Sequence, residues 1–118
     1  MGTIDPAVAK EMVKKYAETR KKLIDQTYGI DDTISIWFSV DEIKKFVASL
    51  SPDASGARIY LGVYSDAYPY TPDQTCIIAI QTTKDSSGND VDSLQQEKLA
   101  AEGGGNPYNQ GKVCPPLC

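Results

Sequence analysis

Thr33-Ile-Ser-Ile-Trp-Phe-Ser39 runs directly into Val40-Asp-Glu-Ile-Lys-Lys-Phe-Val-Ala-Ser-Leu50, and this junction decides the fold class. Ile34, Ile36 and Phe38 alternate with Ser35 and Trp37, the two-residue period of a strand with one face buried. Ser39 followed three residues later by Glu42 is a capping box, and Phe38 just before the cap can staple onto Ile43. Val40, Ile43, Phe46, Val47 and Leu50 then share one helical face. A strand that passes into a helix with almost no loop predicts an α+β protein.

Working outward, Asp5-Pro6 is a helix start, with Asp5 placed to accept a free amide and Pro6 at the first helical position. The helix is predicted over about residues 6–28, with Gly29 suited to the left-handed position beyond its end. Ala9, Met12, Val13, Tyr16, Leu23 and Ile24 form its apolar stripe, and Glu11 to Lys15 and Glu18 to Lys22 are candidate ion pairs. The stripe weakens at Thr19 and Arg20, so the helix either overhangs the core there or meets a second chain. Downstream, Ser51-Pro-Asp-Ala-Ser-Gly56 is a turn. Arg58 to Tyr64 reads as a strand with Ile59, Leu61 and Val63 inward and Arg58, Tyr60 and Tyr64 on the other face. Thr75 to Thr83, apolar on both faces, reads as its antiparallel, central neighbour. Val91 to Glu102 is predicted as a further helix. The expected fold is therefore a small antiparallel or mixed three-stranded sheet packed by two or three helices. Residues 1–102 form one domain, and 103–118 an irregular tail rich in glycine, proline and cysteine.

A chain of 118 residues can bury one real hydrophobic core without disulfides. Twelve basic against sixteen acidic side chains give a formal charge of −4, which repels phosphate backbones and excludes nucleic acid as an expected partner. No run reaches the roughly 18 apolar residues of a membrane span, and the start lacks the basic and apolar stretches of a secretory signal. The composition places the chain in the cytoplasm, unless Met1-Gly2-Thr3 replaces a removed leader.

Histidine is absent, which removes the commonest general base, the usual activator of serine and cysteine nucleophiles, and the most frequent transition-metal ligand. No Ser-x-x-Lys motif is present. Gly105 and Gly111-Lys112 are spaced by five residues where a phosphate loop has four, and Val113 stands where its hydroxyl belongs. Asp85-Ser-Ser-Gly-Asn-Asp-Val-Asp92 has alternating oxygen donors, but Gly88 and Gln96 fall at the wrong places for a calcium loop, so it reads as a solvated turn. Asp41 and Glu42 are explained by capping and the helix dipole. No enzymatic activity and no cofactor are expected.

In Gly103-Gly-Gly-Asn-Pro-Tyr-Asn-Gln-Gly-Lys-Val-Cys-Pro-Pro-Leu-Cys118, the glycines resist ordering and the prolines refuse helix and central strand. The tail must be held by docking, by crosslinking or by a partner. An extended path would separate the Cα atoms of Cys114 and Cys118 by roughly 12 Å. A disulfide tolerates less than about 7 Å, so the pair can bridge only if the prolines make a tight turn. The other candidate roles for the thiols are a redox pair, or a zinc site in which Cys76, Cys114 and Cys118 join one carboxylate. Cys76 alone reads as a buried apolar residue on its strand.

Tyrosine is enriched around one stretch. Tyr60 and Tyr64 share a strand face, and the loop between the strands adds Tyr68 and Tyr70 beside two prolines. Tyrosine supplies contact area with few rotors and a hydrogen-bonding tip, so with Trp37, and with Tyr108 docking from the tail, these residues form the expected binding surface. The alternative is that the rings cover the open face of the sheet. The functional expectation is a non-enzymatic binding or assembly module engaging a protein partner or a second copy. The alternative is a thiol-based redox or metal-binding protein acting through Cys114 and Cys118.

Trp37-Phe-Ser-x-Asp-Glu-Ile-Lys-Lys-Phe46, Arg58-Ile-Tyr-Leu-Gly-Val-Tyr64 and the Cys-Pro-Pro-x-Cys end resemble segments in small bacterial hypothetical proteins that share this order. The resemblance spans about residues 34–118 and implies that strand, helix, hairpin and tail form one unit. It carries no activity and transfers no functional residue.

Overall fold

Asp5 opens the first helix as expected, its Oδ1 accepting from the Ala7 amide at 2.7 Å with Pro6 at the first helical position. In the computed structural model, α1 spans Pro6–Tyr16, a π-helical segment spans Ala17–Lys21, and α2 spans Lys22–Tyr28. The wide π turn falls where the apolar stripe weakens, and Thr19 Oγ1 there donates back to the Lys15 carbonyl. Gly29, at φ 65°, ends α2, and its amide and that of Ile30 both donate to the Asp25 carbonyl. The i,i+4 pairs that form are Lys14–Glu18 and Lys21–Asp25, in place of the predicted Glu11–Lys15 and Glu18–Lys22. No residue of α1 or α2 is buried, and Val8, Met12 and Leu23 stay exposed.

The structure describes residues 1–65, 72–95, 107–109 and 111–118. The chain divides into two units interleaved in sequence: residues 1–37 with 63–75 and 112–118, and residues 38–62 with 76–111.

In the first unit, β1 (Ser35–Trp37) pairs antiparallel with β5 (Lys112–Cys114), in the register Ser35↔Cys114, Ile36↔Val113 and Trp37↔Lys112. This corrects two expectations. The strand at 34–38 joins the tail in a two-stranded sheet and takes no place in the three-stranded one. The tail, expected to be irregular, supplies a strand whose Val113 is buried. The reason is local: Val113 lies between two residues able to face outward, so the segment alternates as a short strand before the prolines stop it. Buried Asp32 fixes the neighbouring chain, accepting from the Thr75 amide and the Thr75 hydroxyl at 2.7 Å each. Gln74 Nε2 donates to the carbonyls of Asp31 and Pro115, so the same cluster holds the tail.

In the second unit, α3 (Val40–Ser49) carries the predicted capping box, with Ser39 Oγ accepting from the Glu42 amide and Glu42 Oε2 accepting from the Ser39 amide. β2 (Ala54–Val63), β3 (Thr75–Lys84) and β4 (Asp90–Val91) form a three-stranded antiparallel sheet in the order β2-β3-β4, with Thr83↔Val91 and Lys84↔Asp90 in register. β3 is central as expected, and Ile80 within it is fully buried. The candidate calcium loop is the turn before β4: Asp85 Oδ1 accepts from the Ser87 and Asn89 amides at 2.9 Å, and Gly88 takes φ 82°.

The third strand of this sheet is thus Asp90–Val91, where a helix was predicted to begin. Asp92 ends the strand: its Oδ1 accepts from the Leu94 and Gln95 amides while Gln95 Oε1 accepts from the Asp92 amide, the reciprocal pattern of a capping box, so Val91 stays with the strand. The remainder of the predicted helix, residues 96–102, lies outside the described residues.

Candidate binding site

The side-chain alternation of β2 sends its apolar residues outward. Ile59, Leu61 and Val63 are 63%, 80% and 65% exposed, whereas Tyr64 is 5% exposed. This reverses the predicted facing. Two observations explain the reversal. A Cβ on Gly62 would lie 3.2 Å from both Cys76 Sγ and Ile78 Cδ1, so Gly62 shares its sheet face with these β3 side chains, of which Cys76 is buried. On that face Arg58 Nη1 and the Tyr60 hydroxyl donate to the buried Asp92 carboxylate at 2.7 and 2.8 Å, drawing both residues inward. Glycine within the strand pattern was the available signal, since it marks close backbone approach.

Asp92 accepts from Arg58, Tyr60 and the Leu94 and Gln95 amides. Burial alone would raise its pKa, but Arg58, Tyr60 and the two amides outweigh burial and hold it below the ordinary carboxylate range. Tyr60 is pushed up by burial and by the same carboxylate. Arg58 also reaches Gln95 Oε1 at 2.7 Å and the Asp90 carbonyl at 3.0 Å, so this cluster is spent on joining β2 to the turn after β4.

The opposite face of the sheet carries a cleft of about 360 Å³. Phe38, Ile43 and Phe46 contribute from the start of α3 and within it, Ala57 and Ile59 from β2, and Ile77 and Ala79 from β3. Tyr108 closes one side: its amide and carbonyl exchange hydrogen bonds with Ala79, and its ring stands edge-on to Phe46 with centroids 5.1 Å apart. Glu42, Lys45 and Asn109 supply the polar groups of the lining. A mainly apolar concavity with a few polar groups, near the lower end of the usual range of roughly 300–1,000 Å³, has the form of a ligand site.

The expected tyrosine surface is distributed differently. Tyr60 is bonded to Asp92, Tyr64 is packed inside, and Tyr108 lines the cleft on the other sheet face from Tyr60. Trp37 is exposed, with Lys112 Nζ 4.8 Å from its ring centroid. Tyr68 and Tyr70 lie outside the described residues. The sequence does not reveal the cleft, because the apolar residues of both its walls have the pattern of interior residues.

Cys114 and Cys118 are joined as a disulfide, with Cα atoms 4.7 Å apart. The Cys114–Pro115 and Pro115–Pro116 peptide bonds are cis, and the Leu117 amide donates to the Val113 carbonyl, which is the tight turn that bridging required. A zinc site on Cys76, Cys114 and Cys118 needs three thiolates, and the disulfide uses two of them. Among the described residues no group of three histidine, cysteine, aspartate or glutamate side chains is placed to hold a metal ion. Cys76 is buried, and burial pushes its thiol pKa up. Closing a five-residue loop is expected to be worth about 2 kcal/mol by the chain-entropy relation. Urea midpoints with and without dithiothreitol measure this, and an unchanged midpoint would show that the crosslink does not constrain the unfolded chain.

These features define an α+β protein with an apolar cleft between a capped helix and a three-stranded sheet. Compared with protein-family models, curated proteins and solved structures, the chain matches none. No helix among the described residues is long and apolar enough to cross a membrane.

Proposed function

We propose that this protein acts by binding, without bond-making of its own, and that the cleft beside β2 receives an apolar group of its partner. The observation that carries this reading is the exposed apolar face of β2, where Ile59 also forms part of a ready-made concavity. Apolar side chains left in water next to a preformed cleft mark an interaction site more often than a defect. The tyrosines chosen from sequence give way to this face because Tyr60 and Tyr64 are engaged inward.

An uncharged solvatochromic dye tests the proposal. The full chain is expected to bind it with a blue-shifted emission, and Ile59→Glu to weaken binding about tenfold or more, the worth of burying one aliphatic side chain. Val8→Glu on α1 should leave binding unchanged. Equal dye binding by the native protein and Ile59→Glu would refute the assignment.

A second reading, thiol redox chemistry through Cys114 and Cys118, is favoured by their pairing. The cytoplasmic placement read from composition would keep the pair reduced, whereas the disulfide belongs to oxidising surroundings. Thiol titration before and after dithiothreitol, on protein recovered without added oxidant, separates the two.

A further inference from the structure

We infer that the partner received by the cleft is a second copy of this chain, each copy laying the exposed stripe of α3 into the cleft and along β2 of the other. This rests on the reading of the cleft as a binding site and names its occupant.

α3 is amphipathic but meets little of its own chain. Val40, Ile43 and Val47 lie along one side of it at intervals of three and four residues, each more than half exposed, and no residue of the helix is buried. Such a stripe is what an apolar groove receives. The same unit also carries the groove: Ile43 and Ile59 line it, and Leu61 extends it along the outward face of β2. A chain that leaves both a helical stripe and a matching groove uncovered fits itself across a two-fold axis, where every contact is made twice. At roughly 100 Å² for each exposed aliphatic side chain, Val40, Ile43, Val47, Ile59 and Leu61 offer about 500 Å² in one copy and about 1,000 Å² in two, which reaches the size a specific interface needs.

The charges agree with this occupant. The lining holds one acid and one base, Glu42 and Lys45, and Glu42 keeps its charge while accepting from the Ser39 amide. A ligand with a single charge would satisfy one and oppose the other. A second copy brings the same pair, so that across the two-fold axis Lys45 of one copy meets Glu42 of the other.

Sedimentation velocity and light scattering on the full chain, from micromolar to near-millimolar concentration, are expected to show a monomer passing into a dimer. Val47→Glu and Leu61→Glu, both outside the cleft lining, should each weaken the dimer about a hundredfold, tenfold for each of the two times the substitution enters the interface. Val8→Glu on α1 should leave it unchanged. Amide spectra check that both variants fold. In a mixture of labelled and unlabelled native copies, isotope-filtered NOEs should join the Val47 methyls of one copy to those of Ile59 or Leu61 in the other. The uncharged dye should bind less per molecule as the native protein is concentrated, and equally at all concentrations to Val47→Glu. A chain that stays monomeric while binding the dye would overturn the second copy and leave the cleft to another partner. A dimer that survives both substitutions and lacks these NOEs would overturn it as well, because the contact would lie elsewhere. A monomer that binds no dye would overturn both readings.

Discussion

Asp92→Ala is expected to destabilise the protein by about 2–4 kcal/mol, the usual result of leaving several donors without their buried acceptor. The Asp92 side chain is fully buried and accepts from Arg58, Tyr60, Leu94 and Gln95. Alanine would leave a guanidinium, a hydroxyl and two amides without that acceptor. Urea unfolding measures the loss, and a change below about 1 kcal/mol would mean that water satisfies these groups. The same carboxylate predicts an acid dependence. Its folded pKa lies below the ordinary aspartate value of about 3.9, so between the two values the unfolded chain binds more protons. The stabilisation is therefore complete above the unfolded value and disappears as pH falls through the folded one. Asp92→Ala should flatten the slope of unfolding free energy against pH on the acid side, and an unchanged slope would show that other carboxylates govern it.

Asp32→Ala should cost about 2–4 kcal/mol, since two donors of Thr75 would be stranded in a buried setting. Thr75 also accepts from the Thr33 hydroxyl through its carbonyl at 2.6 Å, so the chain on both sides of Asp32 is tied to one residue at the start of β3. Asp32→Asn retains the shape and one good acceptor and should cost about half as much. Hydrogen exchange at the Thr75 amide separates local loosening from global loss. If exchange there is unchanged in Asp32→Ala, the hydrogen bond does not hold this junction.

The local signals proved reliable where the residues that cause an element are adjacent in sequence. The Asp5-Pro6 start, the Gly29 stop and the Ser39–Glu42 capping box all appear as read, because a cap is satisfied within one turn of chain. The centrality of β3 was legible from apolar residues on both of its faces. The facing of β2 was not, since alternation gives two faces but not which one meets a neighbour. That choice was made by Asp92 and by the close approach at Gly62, one of them 34 residues from Arg58 and the other visible only beside Cys76. The site was misread for the same reason: hydrophobicity alone does not distinguish a residue that fills the core from one that lines a cleft.

Chain order by itself determined the α+β class, the capped helices and the exclusion of histidine-based chemistry, all of which follow from residue types and short spacings. Only the tertiary structure decided that β1 takes Lys112–Cys114 as its partner, that Asp90–Val91 completes the larger sheet, and that Ile59 and Leu61 face solvent. Strand pairing and facing are selected by groups far apart along the chain, such as Asp92 with Arg58 and Asp32 with Thr75, whose polar atoms find partners only after the backbone has closed around them.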